Sequence, residues 1–285
     1  MTDPLLGLQV EALYRLSHIS PELENQVRVE RTREGRLRVQ GIVDSDDRKG
    51  EILSALSPIL KYPAVRTDLR TVWEALKAQS QDHPEPIIAR EVEVTNSSIP
   101  VASELVRYFN QKWNQNLDSG NRSAPQEWIE HQIRELSSSV LDASHRSYLH
   151  AVALRSLKGE LSPKEIDSLD SIHRAQWEAL IQSHADAIAI ETRTIRKELE
   201  PVFFTPQGEQ ADGTGGNFLN HGTDLGSGRS AETLFKMISE NHAAILSAFT
   251  VSNKNPAVAV SETRGLRQSF LNLEAVATKI SNTGE

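Results

Sequence analysis

The strand-like alternation of apolar and charged residues is concentrated in the first quarter of this 285-residue chain, and that placement limits the folds open to it. Between Gln26 and Val43 apolar and charged side chains alternate, as in strands with one buried face. Beyond residue 100 the apolar residues recur at helical spacing. The sequence therefore predicts an α+β protein, in which an N-terminal α-β-β-α-β domain is followed by a mostly α-helical bundle and a helical tail.

The first domain is predicted to span residues 1–78. A helix over 3–19 precedes a hairpin that turns at Glu34-Gly35, where glycine permits a tight turn. The short polar side chains of Asp44-Ser45-Asp46-Asp47 are expected to cap a second helix, which ends at Tyr62-Pro63. A third strand is expected over 64–72.

The rest of the chain is predicted to be helical segments separated by two linkers. Proline and Asn-Ser-Ser break the periodicity over 79–100, and a Gly-rich segment over 205–229 is too poor in apolar residues to offset the entropy of ordering it. Between them, 101–204 is predicted to be a helical bundle whose last helix ends before Pro201. The C-terminal helical pair, 230–285, is expected to dock on the bundle or on another chain, because two helices bury little surface alone.

Charge and composition exclude several classes of function. A net charge of −8 and an isoelectric point near 5.7 disfavour nucleic-acid binding. Because the chain has no cysteine, it has no disulfide, thiolate-bound metal or thiol nucleophile. The N-terminus has neither a basic nor an apolar leader region, and no long apolar run occurs, so we expect a chain that is neither exported nor membrane-spanning.

Residues 5–72 resemble a BON domain, a small α-β-β-α-β module. The resemblance is carried by Gly35-Arg-Leu-Arg-Val39-Gln-Gly41-Ile-Val43, by Asp44-Ser45 with the helix DRKGEILSAL, and by the strand from Val65 to Val72. Gly41 is expected to allow a close backbone approach. The resemblance implies an envelope or phospholipid-binding role in bacteria and no catalytic residue.

The order of this domain, a linker and helices ending in KELEPVFF also resembles the extracytoplasmic part of bacterial zinc-finger anti-sigma-factor-like membrane proteins. Without cysteine the zinc module of that family is excluded. The resemblance implies a stress-signalling role and a place in the cell envelope, whereas the N-terminus predicts the cytoplasm.

The candidate ligand-binding residues are arginines of the hairpin. They are Arg28, Arg31, Arg33, Arg36 and Arg38. On outward strand faces they could contact an anionic surface. However, Glu22, Glu24, Glu30 and Glu34 lie among them, so cross-strand ion pairing on a solvated face is the alternative.

Metal and catalytic motifs are weak. The Asp44–Asp47 cluster lacks the glycine and final glutamate of a calcium loop. Asp142 with His145, and Asp170 with His173, have metal-ligand spacing, but capping or solvent-facing roles are favoured, as they are for His131 and His242. The glycine segment completes no phosphate-binding motif.

The tryptophans are expected to serve packing. Trp113, Trp128 and Trp177 fall on helical stripes, and Trp73 is expected to close the first domain.

These patterns favour a non-enzymatic binding protein without cofactor or metal. Its partner is expected to be a protein or an anionic phospholipid surface, with a homo-oligomer through the C-terminal helices as a further option. The alternative is a metal-dependent enzyme that uses His and carboxylate ligands in the helical bundle.

Overall fold

A computed structural model describes residues 4–19, 26–80, 99–115, 124–204, 230–251 and 254–283. Segment 205–229, and residues 81–98 of the predicted linker 79–100, lie outside the described residues. The chain forms two compact units. The sheet unit comprises residues 1–92, 152–185 and 280–285, and the helical unit comprises 93–151 and 186–279.

Among the described residues, three strands lie near the N-terminus, and helices make up most of the remaining elements. In chain order they are α1 (Pro4–Ser17), β1 (Val27–Arg31), β2 (Leu37–Val43), α2 (Asp46–Leu60), β3 (Val65–Thr71), α3 (Val72–Ser80), α4 (Ala102–Gln115), α5 (Gln126–Glu160), α6 (Pro163–Ser168), α7 (Ser171–Phe203), α8 (Ser230–Phe249) and α9 (Pro256–Thr283). A small sheet with helices beside a helical part confirms the α+β class.

The sheet has the order β1-β2-β3, with an antiparallel and a parallel pairing. Leu37 of β2 lies opposite Arg31 of β1 and Val65 of β3. At the hairpin turn Gly35 has φ 72°, a left-handed conformation that costs glycine little, and its N–H donates to Thr32 O at 3.1 Å. The predicted role of Gly35 is confirmed.

One face of the sheet forms the core of the sheet unit with α1 and α2. The apolar side chains that alternate along the strands are buried there together with those of the two helices. They include Leu6, Val10, Leu16, Val27, Val29, Leu37, Val39, Val43, Ile52, Leu56, Ile59, Val65 and Leu69. Gly41 lies so close to the chain before β1 that a Cβ would sit 2.2 Å from the Gln26 carbonyl oxygen. The predicted close approach at Gly41 is confirmed.

The sequence analysis did not predict the helix α3, which begins at Val72 directly after β3. Thr71 and Glu74 form a capping box: Thr71 N–H donates to Glu74 Oε2 at 2.8 Å, and Glu74 N–H donates to Thr71 Oγ1 at 3.2 Å. Trp73 in its first turn is 75% exposed, so the expectation that Trp73 closes the domain is wrong.

Aromatic rings of the helical unit pack against one another. Trp128 contacts Phe109 and Trp113, with ring centroids 6.1 and 5.0 Å apart. Phe204 of the chain after α7 meets Phe270 of α9 at 6.4 Å. Trp177, in the sheet unit, is buried as predicted, whereas Trp113 and Trp128 are half-buried.

The C-terminal helices pack within the helical unit. Arg196 of α7 donates to Glu274 of α9 at 2.8 Å, and Ser144 of α5 lies 2.8 Å from His242 of α8. The expected docking of this pair on the bundle is therefore observed. Among the described residues, no helix combines the length and apolar character needed to cross a bilayer.

The predicted end of α7 before Pro201 is wrong. The helix continues through Pro201 to Phe203, and Phe204 N–H still bonds Glu200 O at 3.1 Å. Val202, Phe203 and Phe204 are all buried. Their burial holds the last turn even though proline removes one hydrogen bond from it.

Candidate functional site

The second face of the sheet carries polar side chains and is termed here the open face. Because side chains alternate along a strand, the residues next to each buried one point away from the core. The open face consists of Arg28, Glu30, Arg38, Gln40, Ile42, Arg66, Asp68 and Arg70. Its four arginines outnumber its two carboxylates, although the chain as a whole is acidic.

The predicted arginines are divided among three places. Arg28 and Arg38 lie on the open face, and Arg33 and Arg36 are exposed in the hairpin turn. Arg31 is on the core side of β1, where its guanidinium forms a short ion pair with Glu165 of α6. Arg31 is thus held by a carboxylate of its own unit.

Glu165 connects that ion pair to the start of α6. The Arg31 guanidinium, with the N–H and hydroxyl of Ser162 at 2.8 and 2.7 Å, lowers the pKa of Glu165 to about 2. Ser162 and Glu165 form a capping box at the start of α6.

Two arginines of the open face were missed by the sequence analysis. Arg66 and Arg70 belong to β3, which lies parallel to β2 and places Arg66 beside Arg38. The signal was the alternation in Val65–Thr71. This alternation could place Arg66 and Arg70 on the open face only if the pairing of β3 with β2 were known, and no local sequence pattern reveals that pairing.

Asp68 is the charged centre of the open face. It accepts hydrogen bonds from Arg70 at 3.1 Å and Arg38 at 3.2 Å, and these bonds lower the pKa of the Asp68 carboxyl. Within the described residues, the side chains of Arg28 and Arg66 make no hydrogen bond or ion pair. The guanidinium groups of Arg28 and Arg66 therefore keep donors for an anionic ligand.

Apolar side chains are also exposed in the sheet unit. Ile42 lies on the open face opposite Arg70 and is 53% exposed. Val72, Trp73 and Leu76 occupy one side of α3, since three and four residues correspond to about one helical turn, and all three are exposed. Basic and apolar groups thus lie in one compact unit.

A groove of about 1090 Å³ runs along the open face within the sheet unit. Arg28, Ile42 and Arg70 line it, together with Ala75 of α3 and Glu160 of α5. Burial raises the pKa of the Glu160 carboxyl, an effect that the nearby Arg28 opposes. A groove of this size could take a small or flexible ligand.

The Asp170–His173 pair has a structural role. Asp170 accepts the backbone N–H groups of Ile172 and His173 at 3.0 Å each and so caps α7, as predicted. Ser45 caps α2 by accepting Arg48 N–H at 3.2 Å. Among the described residues, no three His, Asp or Glu side chains are grouped so that they could hold a metal ion.

His242 departs from its predicted solvent-facing role. It is half-buried in the helical unit, where its ring stacks on Tyr148 at 5.0 Å and its Nδ1 lies 2.8 Å from Ser144 Oγ. Burial, and then His145, lower the pKa of the His242 imidazole. The helix packing that buries His242 cannot be read from its own sequence neighbours.

Comparison with known proteins identifies no relative that would assign this open face a role. No family model, no curated protein and no solved structure matches the chain.

Proposed function

We propose that this chain is a non-enzymatic binding protein, and that its sheet unit is a BON-like module whose open face binds the anionic phospholipid surface of a bacterial envelope. One juxtaposition carries the proposal: arginines that form no ion pair with any described residue and an exposed tryptophan lie in the same compact unit.

The arginines supply the polar part of the contact. Within the part of the chain that the structure describes, the guanidinium groups of Arg28 and Arg66 form no hydrogen bond or ion pair, and Arg36 is exposed in the turn. A guanidinium can give two parallel hydrogen bonds to a phosphate, and each basic residue near an anionic leaflet contributes about 1 kcal/mol at low salt. Because the chain has a net charge of −8, attraction to such a surface requires this local excess of positive charge.

The apolar part is supplied by α3. Trp73 is 75% exposed, whereas the other tryptophans of this chain are buried or half-buried. Tryptophan is favoured at the boundary between lipid headgroups and acyl chains, because its ring is apolar and its N–H is polar. Val72 and Leu76 would enter the same boundary beside Trp73.

The resemblance to anti-sigma-factor-like proteins would place this module in envelope stress signalling. There the open face could meet a protein partner instead of lipid. A phospholipid surface is favoured by the exposed residues of α3, because a bilayer accommodates a tryptophan beside arginines without a shaped pocket.

Vesicle co-sedimentation of the full chain tests the proposal. We expect binding to vesicles that contain phosphatidylglycerol, weaker binding at high salt, and little binding to phosphatidylcholine alone. The double change Arg28→Ala with Arg36→Ala, which leaves the Arg38–Asp68 ion pair and the β3 edge untouched, is expected to weaken binding about 30-fold at low salt, on the basis of about 1 kcal/mol per arginine. Trp73→Ala should weaken binding in a way that salt does not mask.

Arg134→Ala is the matched control, since Arg134 is exposed on α5 of the helical unit. Its vesicle binding should equal that of the unchanged chain. Equal binding to neutral and anionic vesicles, or no effect of the two arginine changes, would reject the lipid role of the open face.

A further inference from the structure

The two free edges of the sheet differ in how they are covered. In the antiparallel pairing Thr32 N–H bonds Arg36 O, so alternate residues of β1, Val29 among them, direct their backbone groups to the outer edge. There the carbonyl of Val29 accepts Gln9 Nε2 at 3.3 Å. The side chain of a buried residue of α1 therefore occupies part of this edge.

Among the residues that the structure describes, none covers the outer edge of β3 at its centre in this way. Because Leu37 N–H bonds Ala64 O, the backbone groups of Arg66, Asp68 and Arg70 pair with β2, and those of Thr67 and Leu69 face outward. At the ends of β3, Val65 N–H bonds Tyr62 O and Thr71 N–H bonds Glu74. Thr67 between them is exposed.

We propose that the β3 edge pairs with the β3 edge of a second copy of this chain, antiparallel and centred on Thr67, so that two sheets join into one. An exposed edge strand is a template for another strand, and identical edges generate a closed twofold dimer.

Charge complementarity selects both the occupant and the register. With Thr67 opposite Thr67 of the second copy, Arg66 lies opposite Asp68 on the open face, and the same pair forms again across the twofold axis. On the core side Val65 lies opposite Leu69. Thr67 N–H and C=O bond each other across the axis, and Leu69 N–H donates to Val65 C=O in both directions.

Neighbouring registers are less favourable. Centring the pair on Asp68 would set this carboxylate against itself and Arg66 against Arg70, and like charges directly opposite destabilise a sheet. Centring it on Leu69 would put the self-pairing at a buried residue and set Arg66 against Val72, where α3 begins. Thr67 is the position where accessibility and charge agree.

The inference stands apart from the lipid proposal, because it requires only the edge of β3. If both hold, the twofold axis is perpendicular to the joined sheet, and the two open faces lie on the same side. Such a dimer would bind a vesicle through two faces, with a gain in avidity.

Sedimentation of the full chain without lipid is the first test, over a wide range of concentrations. We expect a monomer–dimer equilibrium. Arg66→Asp sets two carboxylates opposite each other in both symmetric pairs and should weaken the dimer about tenfold or more. Adding Asp68→Arg to Arg66→Asp restores opposite charges across the axis and should recover most of the dimer.

Thr67→Pro removes the N–H at the centre of the pairing and should abolish the dimer, while Thr67→Ala keeps it. The matched charge control is Arg36→Asp in the hairpin turn, which should leave the dimer intact. Circular dichroism checks the fold of each variant. If Thr67→Pro does not fold, the comparison of Arg66→Asp with the double variant Arg66→Asp, Asp68→Arg still tests the pairing.

The absence of cysteine permits a sharper test of the register. Thr67→Cys would introduce one thiol per chain at the twofold axis, within the distance that a disulfide can span. Mild oxidation should yield a covalent dimer, whereas Arg36→Cys should yield little. A monomer at all concentrations overturns the proposal, as does a dimer that is insensitive to Arg66→Asp and is not cross-linked through position 67.

Discussion

The two units of this molecule treat aromatic and charged side chains differently. The helical unit pairs Arg196 with Glu274 and packs Phe204 against Phe270. The sheet unit exposes Trp73 and leaves Arg28 and Arg66 without carboxylate partners in the described residues. Groups that are satisfied internally stabilise a fold, whereas groups held ready at a surface contribute to binding. This difference supports the proposal that the sheet unit carries recognition.

The largest difference is expected between two aromatic truncations. Phe270→Ala should destabilise the helical unit by about 3–5 kcal/mol, because it removes a buried ring and leaves a cavity. Trp73→Ala should change stability by less than about 0.5 kcal/mol, because the ring is already in solvent. Urea denaturation followed by circular dichroism measures both. A Trp73→Ala variant as unstable as Phe270→Ala would show that Trp73 serves packing after all.

Two glycine-to-alanine substitutions in the sheet unit should change its stability in opposite directions. Gly41→Ala places a Cβ 2.2 Å from the Gln26 carbonyl oxygen and 2.9 Å from Val27 Cα, so backbone must shift, at a cost of about 2–3 kcal/mol. Gly50→Ala in α2 meets nothing within 4 Å and should stabilise the protein by about 0.5–1 kcal/mol. Thermal unfolding would detect both changes. Equal effects would contradict the close approach of β2 to the chain before β1.

Lowering the pH should reduce the stability of the two units over different pH ranges. The expected changes in stability are smaller than those of Phe270→Ala and Gly41→Ala. The pKa of Glu165 is about 2 in the folded sheet unit and 4.5 as the ordinary value, so its stabilising contribution is complete above pH 4.5 and is lost as the pH falls toward 2. Because Glu165 is one-third exposed, we expect about 1 kcal/mol from this contribution.

In the helical unit, protonation of His242 should reduce stability at a higher pH than protonation of Glu165 does in the sheet unit. Its folded pKa lies below the ordinary 6.5, so the unfolded chain takes up the proton first and stability declines as the pH falls below 6.5. Amide hydrogen exchange, measured separately for β1–β3 and for α8 as a function of pH, distinguishes the two pH ranges of destabilisation. Glu165→Gln should reduce the acid dependence of the sheet unit, to which Asp68 also contributes, and His242→Gln should reduce that of the helical unit.

Much of the secondary structure was predictable because its signals are local. The helix after Asp44-Ser45, the turn at Gly35 and the cap at Ser162 each depend on residues within one turn of one another. The start of α3 has a local signal too, the Thr71–Glu74 capping box, but the alternation of β3 masks it. The extension of α7 past Pro201 depended instead on burial of the residues that follow.

The sequence by itself determined the α+β class, the alternating faces of the strands and the excess of arginine near the hairpin, because these follow from spacing and composition. Only the tertiary structure decided which arginines share a surface: pairing of β3 with β2 brings Arg66 beside Arg38 and Arg70 beside Ile42, and packing of α6 turns Arg31 to Glu165. Strand pairing and helix packing join residues far apart in the chain, and the free energy of such contacts depends on the whole fold.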